Sequence, residues 1–246
     1  MNTLFFGQHI INLDEVDSTN NYTSEFIRHN VMQEGLLVRA KSQISGKGQR
    51  GNNWESDPNE NLTFSIYVKP SFISIDEQFV LNKWVSLSIL SVLRIHGIEA
   101  EVKWPNDIFV GNKKTGGILI ENSVSTGINH SIVGIGLNVN QMVFKGLPNA
   151  TSMKQQVHKM FNLNSVLEQL CIALEQNYLQ PKADKSILNE AYINHLYQFN
   201  QEVKYRDNKG IFIGKIVGIS TTGQLQIKAH DKIRSYGFKE VEFLDQ

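Results

Sequence analysis

Apolar and polar positions alternate at several places along this chain, and the alternation marks out its elements before any chemistry is considered. Ile10 to Leu13 forms one short apolar run and Leu36 to Ser42 a second, both of strand length. Leu62, Phe64, Ile66 and Val68 alternate with Thr63, Ser65, Tyr67 and Lys69, which predicts a half-buried strand that Pro70 ends. From Asp76 to His96 the apolar residues Phe79, Val80, Trp84, Val85, Leu87, Leu90 and Leu93 cover more than one face of a helix, with Gly97 as its C-cap. Ile98, Ala100, Val102 and Trp104 then predict a strand stopped by Pro105, with Lys103 on the face opposite that apolar set. A hairpin of residues 108–110 and 114–121 follows the Asn106-Asp107 turn. The next apolar strand, Ser131 to Val139, carries Gly134 and Gly136, and glycine inside a strand points to a bulge or a close approach.

The second half changes texture twice. An amphipathic helix beginning near Asn164 lines up Leu167, Leu170, Leu174 and Tyr178; another beginning near Asp184 lines up Leu188, Tyr192, His195 and Phe199. From Glu202 onward the segments 203–205, 210–217, 225–228 and 241–244 are short strands, with turns at Asp207-Asn208-Lys209-Gly210 and Thr222-Gly223. They suit a small barrel of about 45 residues, too small to be very stable alone and so docked on the larger part. The expected division is therefore a domain over 1–199 and a second over 200–246. Asp17-Ser18-Thr19-Asn20 supplies helix-capping side chains ahead of Tyr22, Phe26 and Ile27, and Ser18 is expected as the N-cap of that helix.

Composition narrows the function classes. The 246 residues are 41% hydrophobic and 20% charged, an ordinary globular balance. The 24 basic and 24 acidic residues cancel, so no global field draws the chain to nucleic acid or to a membrane surface, and anion binding must be local. A single cysteine, Cys171, excludes an internal disulfide and a cysteine-based zinc site; it is expected as a core residue. His195 has no second ligand at metal spacing and is expected to be packed at a boundary. No signal-like or membrane-spanning run is present, and a cytoplasmic protein is expected.

The richest chemistry lies between Gln43 and Trp54. Gly46, Gly48 and Gly51 free the backbone for tight turns, while Lys47 and Arg50 put cations on the same loop, a composition suited to holding an anion. As Gly-x-Gly-x-x-Gly it formally matches the dinucleotide fingerprint, but Asn52-Asn53-Trp54-Glu55-Ser56-Asp57-Pro58 follows where that motif needs a helix.

Together these segments resemble the biotin–protein ligases (biotin–[acetyl-CoA-carboxylase] ligases). The resemblance rests on Asp17-Ser18-Thr19-Asn20, on Gln43 with Gly46-Lys47-Gly48-Gln49-Arg50-Gly51 and Trp54, and on Lys103-Trp104-Pro105-Asn106-Asp107. It extends to Lys114-Thr115-Gly116-Gly117-Ile118-Leu119-Ile120-Glu121, to Gly134-Ile135-Gly136-Leu137-Asn138, and in the tail to an SH3-like domain around Gly218-Ile219-Ser220 and Gly223-Gln224-Leu225. The resemblance implies an α+β fold, a mixed sheet with flanking helices related to the lipoate ligases and class II aminoacyl-tRNA synthetases, plus a small SH3-like β-barrel. It implies two reactions: biotin and Mg-ATP give biotinyl-5′-AMP and pyrophosphate, and one lysine of a biotin carboxyl carrier domain then takes the biotinyl group.

By the same resemblance, Ser18, Thr19, Asn20 and Gln43 would hold the polar ureido end of biotin, with Lys47, Gly48 and Gln49 over its carboxylate and Gly117, Gly134 and Gly136 beside it. Lys103, Arg50 and Lys47 would act in catalysis, Lys103 bridging carboxylate and α-phosphate. Gly46, Gly51, Trp54, Asn106 and Asn138 would contact ATP or the adenylate, with Trp54 stacked on adenine, and Asp107 would be a metal ligand; for Asn106-Asp107 a plain turn, and for Trp54 a simple loop anchor, are the alternatives. The family often has arginine where Lys47 and Gln49 stand, and Gln49 carries no charge, which implies weaker retention of the adenylate. No helix-turn-helix segment precedes Ile10, so a ligase of the monofunctional type, without DNA binding, is expected. A strand edge could pair with a second copy in a homodimer or with the carrier domain. Alternatives from the residues alone are a lipoate or octanoyl transfer enzyme and a non-catalytic biotin-binding or adaptor protein.

Overall fold

A computed structural model describes residues 1–179 and 185–244, with the side chain of Arg50 outside that description. Seven strands form the larger sheet: β1 (Ile10–Val16), β2 (Leu37–Gln43), β3 (Leu62–Val68), β4 (Glu101–Lys103), β5 (Asp107–Val110), β6 (Lys113–Val124) and β7 (Ile128–Leu137). Their order across the sheet is β1-β2-β3-β7-β6-β5-β4. β1 and β2 run parallel, Ile10 facing Leu37, while the other neighbours are antiparallel, so the sheet is mixed.

The expected alternation of β3 is present, but the strand is buried along its whole length rather than on one face. Leu62, Phe64, Ile66 and Val68 join the hydrophobic core with Trp84, Ile89 and Leu93 of helix α2 (Val80–Ile95). The polar residues between them face the other way, where helix α1 (Thr19–His29) lies and Ser65 Oγ is 2.8 Å from Thr19 Oγ1. A strand covered on both faces can keep an alternating sequence when its second cover is a polar site rather than solvent. The sheet thus has an oily side and a chemical side.

Helices α3 (Met153–Val157), α4 (Leu163–Leu179) and α5 (Lys185–Asn194) follow, α4 and α5 packing on α2. Cys171 is fully buried, as expected for a core residue, and burial, helped by Glu175, pushes its thiol up to about 12. Several boundaries differ from the sequence expectation. Residues 75–77 form a separate 3-10 turn with a Ser74–Glu77 capping box, so α2 starts at Val80. It ends one residue before His96, and Gly97 takes the left-handed conformation, φ 74°. β4 is only Glu101–Lys103, without Ile98, Ala100 or Trp104. Asp184 lies outside the described residues, and α5 ends at Asn194, so His195 and Phe199 are beyond it. That segment leaves the helix because β4 offers a free edge: Val102 N–H donates to His195 O at 2.8 Å and Tyr197 N–H to Val102 O at 2.9 Å. His195 is a boundary residue, its Nδ1 2.7 Å from Ala191 O and its Nε2 2.9 Å from Arg94.

The second sheet contains β8 (Glu202–Asp207), β9 (Gly210–Ile219), β10 (Leu225–Ala229), β11 (Lys232–Tyr236) and β12 (Glu242–Phe243), in the order β11-β10-β9-β8-β12. It is antiparallel throughout and fits the expected SH3-like domain; β11 and β12 stand at its two ends, and no pairing between them closes the sheet among the described residues. It docks against the first sheet through Trp104, whose Nε1 donates to Gly223 O at 2.9 Å and whose ring meets Phe238 at 5.5 Å. Among the described residues no helix is long and apolar enough to cross a membrane.

Candidate functional site

The chemical side of the sheet carries a cavity of about 280 Å3, lined by α1, the glycine loop, β6, β7, the segment around Pro105 and the second sheet. Its base is polar and tightly organised. Ser18 occupies the N-cap position of α1 but makes no capping bond with its side chain. The cap falls instead to Gln43, whose Oε1 accepts from Thr19 N–H at 2.8 Å and Thr19 Oγ1 at 3.2 Å. Asn20 is held from both ends: its Oδ1 accepts from Ser65 Oγ at 2.6 Å and its Nδ2 donates to Glu121 at 2.7 Å. Ser18, Thr19 and Asn20 are all buried, so these bonds are shielded from water.

The glycine loop is a small flap that folds back on itself. Trp54 N–H donates to Gly46 O at 2.8 Å and Gly48 N–H to Asn52 O at 2.7 Å, with Lys47 and Asn53 bridged between them. A Cβ on Gly46 would lie 2.4 Å from Trp54 O, and Gly51 has φ +84°, so these two glycines serve the turn itself. The flap delivers Trp54 onto the sheet: a Cβ on Gly136 would lie 2.3 Å from the indole, and one on Gly117 3.4 Å from it. The close approach at Gly134 is by Asn20, 2.4 Å from such a Cβ. The strand glycines thus give room to site side chains, and Gly117, Gly134 and Gly136 also line the cavity. Among the described residues, Gln49 Oε1 and Trp54 Nε1 are both buried without a hydrogen-bond partner.

Lining the cavity are Ser18, Thr19, Asn20, Gln43, Lys47, Gly48, Gln49, Trp54, Asn106, Asp107, Gly117, Gly134 and Gly136. Gly46, Gly51, Lys103 and Asn138 are not among its lining residues, and the side chain of Arg50 lies outside the described residues. Asn106 is occupied as a turn clamp, its Nδ2 donating to Ile118 O at 2.7 Å. Asp107 is ion-paired with Lys114 at 2.7 Å, and among the described residues no group of three His, Cys, Asp or Glu side chains could hold a metal.

A second, more apolar cavity of about 320 Å3 adjoins the first and shares Asn53, Trp54 and Lys114 with it. Asn138 lines this one, with Phe109, Phe144, Leu147 and Pro148. Its Nδ2 donates to Thr151 O at 3.0 Å, yet its Oδ1 is buried and unpaired, an acceptor that a ligand N–H would satisfy. Lys103 lines neither space, but its ammonium is 4.8 Å from the ring of Phe109, which lines the second, and 5.3 Å from that of Phe243, which lines the first.

Sequence reasoning missed Lys114, Asn53 and the second-sheet residues Phe238, Lys239, Val241 and Phe243, all of which line the first cavity. Lys114 stood within a recognised segment without an assigned role. Asn53 likewise lay in the glycine loop without an assigned role; the other four lie far along the chain, and nothing local to them signals the site.

The model of the Biotin/lipoate A/B protein ligase family matches residues 13–138. The bifunctional ligase/repressor BirA of Bacillus subtilis is 27% identical over 98% of this chain and 76% of its own length. The biotin–[acetyl-CoA-carboxylase] ligase of Mycobacterium tuberculosis is 25% identical, over 60% of this chain and 55% of its own. Among solved structures, the Aquifex aeolicus biotin protein ligase in complex with biotin and ATP superimposes with a TM-score of 0.80 at 28% identity, covering 96% of this chain and 98% of that one.

Proposed function

Since the chain belongs to the Biotin/lipoate A/B protein ligase family, we propose that it is a biotin–protein ligase that activates biotin with ATP and passes it to a lysine of a carrier domain. The observation that carries this reading is the pair of adjoining cavities that share Trp54, the second the more apolar, with the Lys103 ammonium within 5.3 Å of a ring that lines each.

In this reading biotin lies in the first cavity, its ureido group against Ser18, Thr19, Asn20 and Gln43 and its carboxylate toward Lys47, Gly48, Gln49 and the second cavity. The adenine of ATP lies in the second, where the orphaned Asn138 Oδ1 accepts from the exocyclic amine and Trp54 offers a ring face. Gly46 and Gly51 hold the flap in shape, and Asn106 fixes the wall between the spaces.

The first reaction joins two anions. A biotin carboxylate oxygen attacks the α-phosphorus, the bond to the bridging oxygen breaks, and pyrophosphate leaves with its electron pair. Charge builds on the phosphoryl oxygens, so cations held ready at that point lower the barrier. Lys47, Lys103 and Arg50 fill this role. In the second reaction the carrier lysine amine attacks the activated carbonyl, AMP departs as the leaving group, and the amine's proton is lost to solvent or base. Mg2+ would arrive with the nucleotide phosphates and is assigned no protein ligand, since Asp107 is committed to Lys114.

The test supplies the protein with Mg-ATP and either biotin or lipoate and follows ATP–pyrophosphate exchange, then adds a biotin carrier domain and looks for lysine biotinylation by mass. Biotin-dependent exchange is expected, lost by at least about a hundredfold in Lys103→Ala. Exchange with lipoate alone, or wild-type exchange in Lys103→Ala, would defeat this reading.

A further inference from the structure

Beneath the polar end of the first cavity runs a chain of hydrogen bonds whose direction is fixed from outside the cavity. Glu121, exposed on β6 and absent from the lining, accepts from Asn20 Nδ2 at 2.7 Å, and Leu119 O lies 3.4 Å from the same nitrogen. A carboxylate and a carbonyl oxygen only accept, so this end of the Asn20 side chain is its NH2 group and Oδ1 points the other way. There Oδ1 meets the hydroxyl of Ser65 at 2.6 Å; Ser65 Oγ is 2.8 Å from Thr19 Oγ1, which is 3.2 Å from Gln43 Oε1. Asn20, Ser65 and Thr19 are all buried, and Asn20 is seated on Gly134, where a Cβ would come within 2.4 Å of its Oδ1.

Two hydroxyl protons serve these contacts. Asn20 Oδ1 has no proton to give, so the Ser65 proton goes to it. The Thr19 proton then goes to Ser65 or to Gln43 Oε1, and either way it stays inside the network. The amide protons of Asn20 are committed to Glu121 and Leu119. Thr19 and Asn20, both of which line the cavity, therefore have oxygen lone pairs to offer a ligand and no protons.

We propose that Glu121 and Ser65 are positioning residues that make this floor an acceptor-only surface, which selects its ligand by N–H groups of the kind a cyclic urea presents. A ureido ring satisfies the floor. A dithiolane ring, which has no N–H, would leave buried acceptors without partners, and a site built around such groups rejects the analogue that lacks them. The inference rests on the biotin reading above and deepens it, since that reading names the ligand and the relay names what makes the ligand fit.

Two measurements on the full chain test it: binding of biotin alone by equilibrium dialysis without ATP, and biotin-dependent ATP–pyrophosphate exchange. Glu121→Ala removes the fixed acceptor and lets the Asn20 amide turn, Glu121→Gln keeps an accepting oxygen in its place, and Ser65→Ala cuts the chain in its middle. In Glu121→Ala both Kd and KM for biotin are expected to rise about 3- to 10-fold with kcat within about twofold, because the loss falls on binding and not on the transition state. Glu121→Gln is expected to recover most of that loss. Ser65→Ala is expected to raise both constants about tenfold, and the double variant Glu121→Ala/Ser65→Ala to be little worse than Ser65→Ala, because the two residues act through one chain. Biotin binding by wild type with unchanged constants in Glu121→Ala would overturn the relay and leave the enzyme reading standing. So would equal losses in Glu121→Gln and Glu121→Ala, or losses that multiply in the double variant. Absence of biotin binding by wild type would overturn the enzyme reading and the relay with it. Glu121 is exposed, so its two variants carry the test should Ser65→Ala fail to fold.

Discussion

Gly136 and Gln49 show how much of the site turns on single side chains. Gly136 looked in the sequence like a place where a ligand comes close, whereas its empty position holds the Trp54 indole. Gly136→Ala is therefore expected to push Trp54 off the sheet, costing about 1–3 kcal/mol of stability by overpacking, with a tryptophan emission shift and a fall in biotin-dependent exchange. Unchanged emission and exchange would show that the flap can retreat without harm. Gln49 offers the reverse case: a buried, unpaired Oε1 at a position without charge. Gln49→Arg is expected to slow release of biotinyl-AMP by about tenfold through a charge-assisted bond to phosphate. Filter-retained adenylate followed over time measures this, and an equal rate in wild type would remove Gln49 from the account of adenylate retention. Both positions were legible as candidates from the loop and strand patterns. What each side chain meets was not, because the meeting partners are set by folding of the flap.

Elements were read well where the pattern was local and long. β2, β3, β6, β7 and α4 begin or end within a residue or two of expectation, since each is specified by its own periodicity. α5 ran short because residues 195–197 pair with the β4 edge, which overrides helical spacing at His195 and Phe199, while β4 is confined to Glu101–Lys103, the residues registered against Asp107–Phe109 of β5. β11 escaped notice because Lys232–Tyr236 is mostly polar and is stabilised by its neighbours rather than by its own pattern. One of its anchors is Asp207, at the end of β8, which accepts from Lys209 N–H at 2.8 Å, Tyr236 OH at 2.9 Å and Arg234 at 3.4 Å. The Lys209 N–H first, then Tyr236 and Arg234, hold the Asp207 carboxyl below its ordinary range. Because the folded value lies below the unfolded one, this contribution is complete above the unfolded pKa and is lost as pH falls through the folded one. The gap in Tm between wild type and Asp207→Ala is thus expected to be widest near neutral pH and to close as pH drops below about 4. A gap that persisted into acid would mean that the charge is not what ties the β8–β9 turn to β11.

At the scale of the whole molecule, the two sheets meet at the site rather than beside it. Trp104 spans the junction, and Trp104→Phe, which leaves Gly223 O without its donor, is expected to cost about 1–3 kcal/mol. Urea unfolding followed by circular dichroism measures this, and an unmoved midpoint would show that other contacts carry the docking. The strands of the larger sheet all precede residue 199 and those of the second all follow it, and Phe238, Lys239, Val241 and Phe243 from the later segment line the first cavity, so residues of both parts build its wall. Pairing of a sheet edge with a second copy or with the carrier domain remains a proposal for solution experiments. The sequence by itself determined the order of elements, the oily and polar faces of β3, and the segments that bring chemistry together, because periodicity and short motifs are local properties. Only the tertiary structure decided that Trp54 lies on Gly136, that Asp107 is spent on Lys114, and that rings from residues 109, 197 and 243 stand near Lys103. Those contacts join residues distant along the chain, and no local pattern in a single sequence encodes them.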